Sequence, residues 1–491
     1  MKGTSIVIGA GFAGLSVAAH LARAGRKVMV LEKQPQAGGR ARILREAGFT
    51  FDMGPSWYWM PDVFERHFAQ FDTKPGDHYE LIRLDPSYTI YFGAGEKLDI
   101  PASLSELREL FESLEPGSGP ALDRFLTEAR FKYEVGIQDM VRKPGLSLLE
   151  FMDMRVLKGL LRMQLFTSFR THVRSYFKHP KLIQLMEFPI LFLGATPQDT
   201  PALYSLMNHA DMALGTWYPI GGMGKVVDAM VRVAESQGVE VRLAESVRHI
   251  EVINGRAVRV ITDKDSYDCD EVIGGADYHH VEHGLLDAEH RVHSERYWDD
   301  RVLAPSVLMF YLGVDKRLVG LEHHTLFFDE ELDRHAREIY KDPQWPTKPL
   351  FYASCSSKTD PSVAPKGMEN LVLLIPVAPG LKDEESTREQ YYDLVMERLE
   401  RMTGQKIRDH VVFKRSYSVN DLERDMNAYK GNAYGLANTL RQTAILRPSI
   451  RSKKVSNLFY TGQLTVPGPG VPPALISGEV VANHIIKSTR Q

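Results

Sequence analysis

The first thirty residues hold a glycine-rich turn between two apolar runs, and this feature restricts the fold more than any other part of the sequence. Residues 5–8 are short and rich in β-branched side chains, which is typical of a buried strand. Gly9, Gly11 and Gly14 follow as G-x-G-x-x-G, and apolar residues then recur at helical spacing up to a second predicted strand, residues 27–31. This order predicts a β-α-β unit that binds a dinucleotide, because the glycines let backbone amides approach a pyrophosphate at a helix N-terminus.

An acidic residue, Glu32, closes the second predicted strand. A carboxylate at this position can accept hydrogen bonds from both hydroxyls of a ribose and repels a 2′-phosphate, so NADP is disfavoured. Gly38, Gly39 and Arg40 follow shortly after it. A glycine doublet after the acid resembles the extended fingerprint of flavoproteins with two dinucleotide-binding domains, and this resemblance implies FAD as the cofactor.

The C-terminal region repeats the order of strand, loop and helix. Residues 457–462 are aromatic and apolar and end in glycine, residues 463–473 are rich in glycine and proline, and the following residues have a small-residue helical pattern. Pro472 and Pro473 suit a first helical turn and leave neighbouring amides free to face an anion. A helix N-terminus here would stabilise the negative charge of a reduced flavin, whereas the alternative is a simple surface turn.

Composition excludes several other classes of protein. The chain has 491 residues, of which 43% are hydrophobic and 25% charged, as in a folded protein of two or three domains. A net charge of −3 disfavours nucleic-acid binding over the whole surface. Cys269 and Cys355 are far apart and lack a C-x-x-C motif, so we expect no disulfide scaffold, no structural metal and a cytoplasmic location.

Four blocks of sequence resemble those of the carotenoid desaturase family of amine-oxidase-like flavoproteins, specifically the bacterial phytoene desaturases. They are the N-terminal glycine-rich turn, residues 48–56 (GFTFDMGPS), residues 217–223 (WYPIGGM) and the loop and helix of residues 461–478. Their order and spacing extend over nearly the whole chain. The resemblance implies an FAD-dependent oxidoreductase of carotenoid biosynthesis that introduces conjugated double bonds into a C40 carotene, from phytoene to lycopene or intermediates, by hydride transfer to flavin N5.

The same resemblance, carried over position by position, implies a set of residues that contact FAD. They are Gly9, Gly11, Gly14, Glu32, Gly39, Arg40, Gly54, Pro55, Ser56, Val247, Gly462, Val471 and Pro472. Gln463 departs from the wider amine-oxidase group, in which many relatives have an acidic residue after the terminal glycine. No side-chain contact with the cofactor is therefore carried over to Gln463.

The middle of the chain indicates a discontinuous nucleotide-binding domain. Residues 238–243 and 246–252 have strand composition, and Asn254-Gly255 marks a hairpin turn. Residues 305–315 and 370–378 also have strand composition and are expected to form a sheet below the substrate cavity. The predicted fold class is α/β. It comprises a Rossmann-type FAD-binding domain (residues 1–85, 220–285 and 410–491), a mixed α+β substrate domain (86–130 and 286–409) and a helical lid or membrane-associating region (131–219).

Residues 151–181 combine a local net charge of +6 with many apolar side chains. The cations are Arg155, Lys158, Arg162, Arg170, Arg174, Lys178 and Lys181. A basic helix with an apolar face can lie in a lipid interface, and a C40 hydrocarbon would have to be taken from lipid. The segment 151–193 therefore predicts a peripheral membrane contact, and a lid with a buried apolar face is the alternative.

No acid–base constellation is recognisable among the 17 histidines, and no catalytic residue is assigned. The side chains of the adjacent pairs His279-His280 and His323-His324 diverge on any regular element, which disfavours chelation by either pair, and both pairs are expected at the solvated surface. A C–H bond next to an allylic cation is strongly acidic, so the protein need mainly orient the polyene and exclude water. Oxygen or a membrane quinone would then reoxidise the FAD.

Three alternatives remain open at this stage. Within the same family, the protein could instead act on an end-group-modified carotenoid, as a 3,4-desaturase does. A flavin amine oxidase would need paired aromatic side chains facing the flavin and a polar pocket for the amine. A flavin-binding protein without enzymatic activity would keep its FAD oxidised with every carotenoid precursor.

Overall fold

The computed structural model describes residues 3–147, 150 and 163–488, and two β-sheets organise it. The first sheet has five parallel strands. In spatial order they are Leu458–Tyr460, Glu271–Gly274, Thr4–Ile8, Lys27–Leu31 and Glu240–Arg242. The strands predicted at residues 5–8, 27–31 and 457–462 are therefore confirmed, and this sheet draws on the beginning, the middle and the end of the chain.

The second sheet has seven strands and is mixed. In spatial order they are Val411–Tyr417, Ser306–Val314, Glu369–Val377, Phe351–Ser354, His324–Phe327, Tyr88–Gly93 and Glu96–Ile100. Only His324–Phe327 and Tyr88–Gly93 pair in parallel among these neighbours. Val411–Tyr417 pairs with Ser306–Val314, so this part of the predicted FAD-binding range 410–491 belongs to the second sheet instead.

Three smaller sheets complete the strands. Val247–Ile253, Arg256–Thr262 and Ser266–Asp268 form an antiparallel sheet. Its first turn has positive φ at both Asn254 and Gly255, which confirms the predicted hairpin. The two remaining antiparallel pairs are Ile43–Glu46 with Phe49–Asp52 and Leu81–Arg83 with Trp217–Pro219.

Helices cover both large sheets and build most of the remainder. The described α-helices of five residues or more are Phe12–Arg23, Pro61–Ala69, Leu104–Leu114, Ser118–Tyr133, Phe169–Tyr176, Pro180–Glu187, Met223–Ser236, Tyr278–Leu285, Glu295–Asp299, Leu332–Tyr340, Glu385–Thr403, Val419–Met426 and Val471–Ser488. Within the described ranges, no helix combines the length and the apolar character needed to cross a bilayer.

Glycines set the distance at which the first helix packs. A side chain at Gly14 would overlap the carbonyl oxygen of Gly9, so the absence of Cβ lets helix Phe12–Arg23 lie directly on the turn before it. On the other side of this helix, a Cβ at Gly478 would lie 2.5 Å from the Cβ of Ser16. The two ends of the chain are therefore in close contact at the nucleotide-binding edge of the sheet.

The two internal sequence blocks contact each other. Asp52, in the block 48–56, accepts hydrogen bonds from the backbone N–H groups of Met223 and Gly224 and so caps helix Met223–Ser236. Gly222 has φ +83°, and a Cβ there would lie 2.7 Å from the Asp52 carboxylate. Burial raises the pKa of Asp52 to about 7. The glycines of the block 217–223 thus give Asp52 access to a helix N-terminus.

Three described cations of the basic segment lie near acids, whereas Lys178 is exposed and has no ion pair among the described residues. Arg170 and Arg174 both lie near the buried Glu187, at 3.8 and 3.6 Å, and Lys181 pairs with Glu96. Phe169 and Phe177 are core residues, whereas Phe166 is 96% exposed. The predicted membrane-facing cations Arg155, Lys158 and Arg162 lie outside the described residues.

Candidate active site

A cavity of about 270 Å³ lies where the strands of the parallel sheet end. It is bordered by Ile8, Leu31 and Thr461, at the carboxyl ends of three strands, and by the glycine-rich turn. Open parallel sheets bind nucleotides at this edge, because helix N-termini and their free amides gather there.

Most of the predicted FAD contacts line this cavity. They are Gly9, Gly11, Glu32, Gly39, Arg40, Gly54, Pro55, Val247, Gly462 and Val471. Gly14 lies beneath the turn and serves the packing of the helix instead. Ser56 and Pro472 line a second, adjoining cavity.

Three features of the first cavity fit a dinucleotide. A Cβ at Gly11 would meet no atom within 4 Å, so the space beside this helix N-terminus is open. The buried Nε of Arg40 has no hydrogen-bond partner and could meet a phosphate oxygen. The Glu32 carboxylate accepts the N–H groups of Ala10 and Gln34, each at 2.8 Å, and each oxygen keeps a lone pair for a ribose hydroxyl.

Asp277 is a cavity residue that sequence reasoning did not select. It is buried, caps helix Tyr278–Leu285 through the N–H of His279 at 3.0 Å, and lies in the field of Arg40. Burial raises the pKa of Asp277, and the positive charge of Arg40 opposes that rise. Asp277 lies three residues after the end of strand Glu271–Gly274 of the parallel sheet, and this strand was not predicted from the sequence. Gln463, for which no contact was predicted, also lines the cavity.

The second cavity, of about 220 Å³, is walled mainly by carbon. Its wall includes Trp57, Trp59, Phe188, Leu326, Phe328, Leu332, Ile339, Leu350, Phe351, Leu374 and Pro376. The predicted strands 305–315 and 370–378 are confirmed as Ser306–Val314 and Glu369–Val377, and the latter contributes Leu374 and Pro376 to this wall.

The two cavities meet. Residues that line both are Gly54, Pro55, Leu374, Tyr434, Gly470 and Val471. The block 48–56 and the loop before the C-terminal helix therefore lie at the boundary between a polar, glycine-lined space and a hydrocarbon-lined one. A bound dinucleotide whose reactive ring reached this boundary would present it to an apolar substrate.

The apolar cavity contains few polar groups. The hydroxyl oxygens of Ser56 and Tyr352 are 3.0 Å apart, and that of Tyr352 is 2.5 Å from Nδ1 of His324. The ring of Trp57 stacks on His324 with centroids 4.1 Å apart. These contacts form a polar chain from the cavity wall into the second sheet.

The expectation that His323-His324 lies at the solvated surface is wrong. Both side chains are buried, because strand His324–Phe327 lies inside the seven-stranded sheet between two neighbours. Burial lowers the pKa of His323 to about 3 and that of His324 well below its usual value. Both imidazoles are therefore neutral at physiological pH.

No carboxylate lines the apolar cavity among the described residues. The histidine in its wall, His335, uses both ring nitrogens on the main chain: Nε2 with the Pro376 carbonyl at 2.8 Å and Nδ1 with the Leu350 N–H at 3.1 Å. The described residues around the apolar cavity therefore do not form the polar pocket that an amine oxidase would need. A nucleotide cavity joined to a hydrocarbon-lined one suits a dinucleotide-dependent enzyme that acts on an apolar substrate.

Comparison with known proteins identifies the family. Residues 12–486 match the model of the flavin-containing amine oxidoreductases. The chain is 43% identical over 485 residues to a carotenoid 3,4-desaturase of Haloarcula japonica, covering 98% of this chain and 97% of that protein. It is 30% identical over 518 residues to a phytoene desaturase of Fusarium fujikuroi, covering 100% and 90%.

Solved structures share the fold at low sequence identity. Putrescine oxidase bound to putrescine superposes with a TM-score of 0.64 at 17% identity, covering 99% of both chains. An oxidoreductase from Methanosarcina mazei gives a TM-score of 0.64 at 18% identity, covering 98% of this chain and 100% of that one. The chain belongs to the flavin-containing amine oxidoreductase family and, within it, to the carotenoid desaturases, with FAD as the cofactor.

The open space beside Gly11 leads to a prediction about cofactor binding. The variant Gly11→Val should fold, since φ is −79° and no protein atom lies near the new Cβ, but should lose at least about tenfold in FAD affinity, about 1.4 kcal/mol. Glu32→Gln should weaken binding less. FAD affinity is measured by fluorescence titration of apoprotein, with Gly76→Val as control because Gly76 also faces open space, away from the cavity. Wild-type affinity in Gly11→Val would contradict the assignment of this turn.

Proposed function

We propose that the protein desaturates a C40 carotene, with phytoene as the substrate and lycopene or an intermediate as the product. The observation that carries this proposal is the junction of the FAD cavity with a hydrocarbon-lined cavity that has no described carboxylate in its wall. A carotene has no group for ion pairing, so shape and apolar contact must position it. Relatives named as phytoene desaturases over nearly the full chain length support this substrate.

The bound cofactor supplies the chemistry of hydride acceptance at flavin N5. On this proposal, Gly11 and Arg40 bind the pyrophosphate, Glu32 binds the ribose, and the first turn of helix Val471–Ser488 stabilises negative charge on the reduced ring. Gly54 and Pro55 lie where substrate and cofactor would meet. The walls of the apolar cavity keep bulk water from the reacting carbons.

Loss of a hydride from an allylic carbon leaves a cation that must also lose a proton. Ser56 and Tyr352 both have hydroxyls at the cavity wall, and the Tyr352 hydroxyl connects Ser56 to Nδ1 of His324. Because burial keeps the His324 imidazole neutral, Nδ1 can accept a proton that passes through the two hydroxyls. A weak base suffices, since the C–H bond beside the cation is strongly acidic.

A second candidate is desaturation of an end-group-modified carotenoid, as by a 3,4-desaturase. Identity of 43% to the Haloarcula japonica protein of that name, against 30% to the Fusarium fujikuroi phytoene desaturase, favours it. Both candidates use the same cofactor, cavity and proton chain. They differ in whether the substrate enters with an already conjugated polyene.

An anaerobic absorption spectrum separates the two candidates. FAD-loaded protein is mixed with liposomes that contain phytoene or, separately, an end-group-modified conjugated carotenoid. Flavin bleaching with new structured polyene bands from phytoene is expected, and the band positions count the new double bonds. Bleaching only with the conjugated carotenoid would favour the second candidate. Oxidised flavin with both carotenoids, in protein that reacts with amines and releases peroxide, would contradict both. Air or a quinone is then added to the reduced protein, and the addition that reoxidises the flavin identifies the electron acceptor.

The proton chain leads to a prediction for Tyr352→Phe. Removing the hydroxyl interrupts the path between Ser56 and His324, so turnover should fall by about 10²-fold or more while FAD content is unchanged. Single-turnover formation of the conjugated polyene, followed through its absorption bands, measures this effect. Tyr91→Phe is the matched control. Tyr91 lies in the same sheet as Tyr352 but outside the cavity, and its hydroxyl donates a hydrogen bond to the Gly320 carbonyl. Full activity in Tyr352→Phe would exclude the proton path.

We also propose that the protein takes its substrate from a membrane surface through the region that contains Phe166. This side chain is 96% exposed and lies four residues after the basic stretch 151–162, which is outside the described residues. Arg170, Arg174 and Lys181 are paired with acids, so the proposed contact depends on the apolar side chain, with the exposed Lys178 as the described cation that has no ion pair among the described residues. An exposed phenylalanine can insert at the level of lipid headgroups.

Liposome flotation measures this contact. Phe166→Ser should reduce the fraction bound to anionic liposomes several-fold, because burial of one aromatic side chain contributes about 1.5–3 kcal/mol. Val319→Ser is the control, since Val319 is also an exposed apolar residue, at 75% exposure, in another part of the chain. An equal loss of liposome binding in both variants would contradict a membrane contact at Phe166. Unchanged binding in both variants would contradict it as well.

A further inference from the structure

Two histidines and one glutamate converge outside both cavities. His279 and His283 lie one turn apart on helix Tyr278–Leu285, with rings 7° from parallel and centroids 4.5 Å apart. Glu295, the first residue of helix Glu295–Asp299, places one carboxylate oxygen 3.0 Å from Nε2 of His279 and the other 2.9 Å from Nδ1 of His283. One atom from each residue lies within 4.8 Å of the others.

The hydrogen bonding of His283 leaves this arrangement incomplete. Its Nε2 lies 3.0 Å from the carbonyl oxygen of His293, which can only accept, so Nε2 carries the proton. In the neutral imidazole Nδ1 then presents a lone pair, and this buried atom makes no hydrogen bond although a carboxylate oxygen is 2.9 Å away. Two acceptors therefore face each other at a side chain that is only 9% exposed. A cation between them would turn this repulsion into attraction.

We propose that His279, His283 and Glu295 bind a divalent transition-metal ion, with Zn²⁺ the favoured occupant. Two imidazoles and one carboxylate are donors that suit Zn²⁺, whereas Ca²⁺ and Mg²⁺ prefer oxygen ligands throughout. Ligand atoms around tetrahedral Zn²⁺, at about 2.0–2.1 Å from the metal, are about 3.3 Å apart, so small side-chain rotations would complete the site. The His293 carbonyl on the far nitrogen of His283 is the outer contact that metal-binding histidines commonly make.

The metal ion would join helices Tyr278–Leu285 and Glu295–Asp299, beside the FAD cavity. Helix Tyr278–Leu285 begins after Asp277, which lines the FAD cavity and caps that helix. None of the three ligands lines either cavity, so the ion would lie outside the cofactor and substrate sites. With Glu295 exposed and three protein ligands, a water molecule would occupy the fourth position.

Metal binding is tested on the FAD-loaded full-length protein, without a polyhistidine tag and after treatment with a chelator. Calorimetric titration with Zn²⁺ should give one ion per chain, and excess Zn²⁺ should raise the thermal midpoint. His283→Gln and Glu295→Gln should each weaken binding at least tenfold and abolish the thermal shift. His410→Gln is the control, because His410 is a half-exposed histidine that pairs with Asp315 at 2.8 Å and has no second histidine beside it.

Three results would overturn the proposal: no stoichiometric Zn²⁺ binding by the wild type, unchanged binding in both ligand variants, or an equal loss in His410→Gln. Flavin content and circular dichroism establish that each variant is folded. Glu295 is 63% exposed, so Glu295→Gln provides the test even if the largely buried His283 position does not tolerate substitution.

Discussion

The structure depends on how closely one helix can approach the turn that precedes it. Helix Phe12–Arg23 lies against the carbonyl of Gly9 because Gly14 has no side chain, and its unpaired amides then face the cavity at Gly11. The helix in turn contacts the C-terminal helix through Gly478. The nucleotide cavity and the position of the C-terminal helix beside it both follow from this backbone approach.

The junction of two cavities gives the protein its chemistry. The parallel sheet supplies an edge where amides and Arg40 can meet phosphate, and the seven-stranded sheet supplies a wall of apolar and aromatic side chains. Neither sheet alone would provide both sites. The parallel sheet lacks a hydrocarbon-lined space, and the seven-stranded sheet lacks an anion-binding edge. The block 48–56 runs between them, and it also caps helix Met223–Ser236 through Asp52.

Burial explains where inference from the sequence failed. His323 and His324 were expected in solvent because polar residues usually lie there, yet their strand is enclosed by neighbours on both sides. In the basic segment, Glu187 and Glu96 pair with Arg170, Arg174 and Lys181, which local charge alone does not indicate. The cluster at His279 and His283 was not predicted, although residues four apart share a helix face.

The sequence by itself determined the β-α-β unit, the strands of both sheets that were predicted, and the type of cofactor, because these depend on local spacing and on the steric needs of glycine. Motifs with fixed spacing also selected residues that line the nucleotide cavity, and their contact with the cofactor stays a prediction. Only the tertiary structure decided that Asp277 faces Arg40, that Ser56 connects through Tyr352 to His324, and that an apolar cavity adjoins the nucleotide site. These contacts join residues far apart in the chain, and no local pattern records which distant side chains burial will bring together.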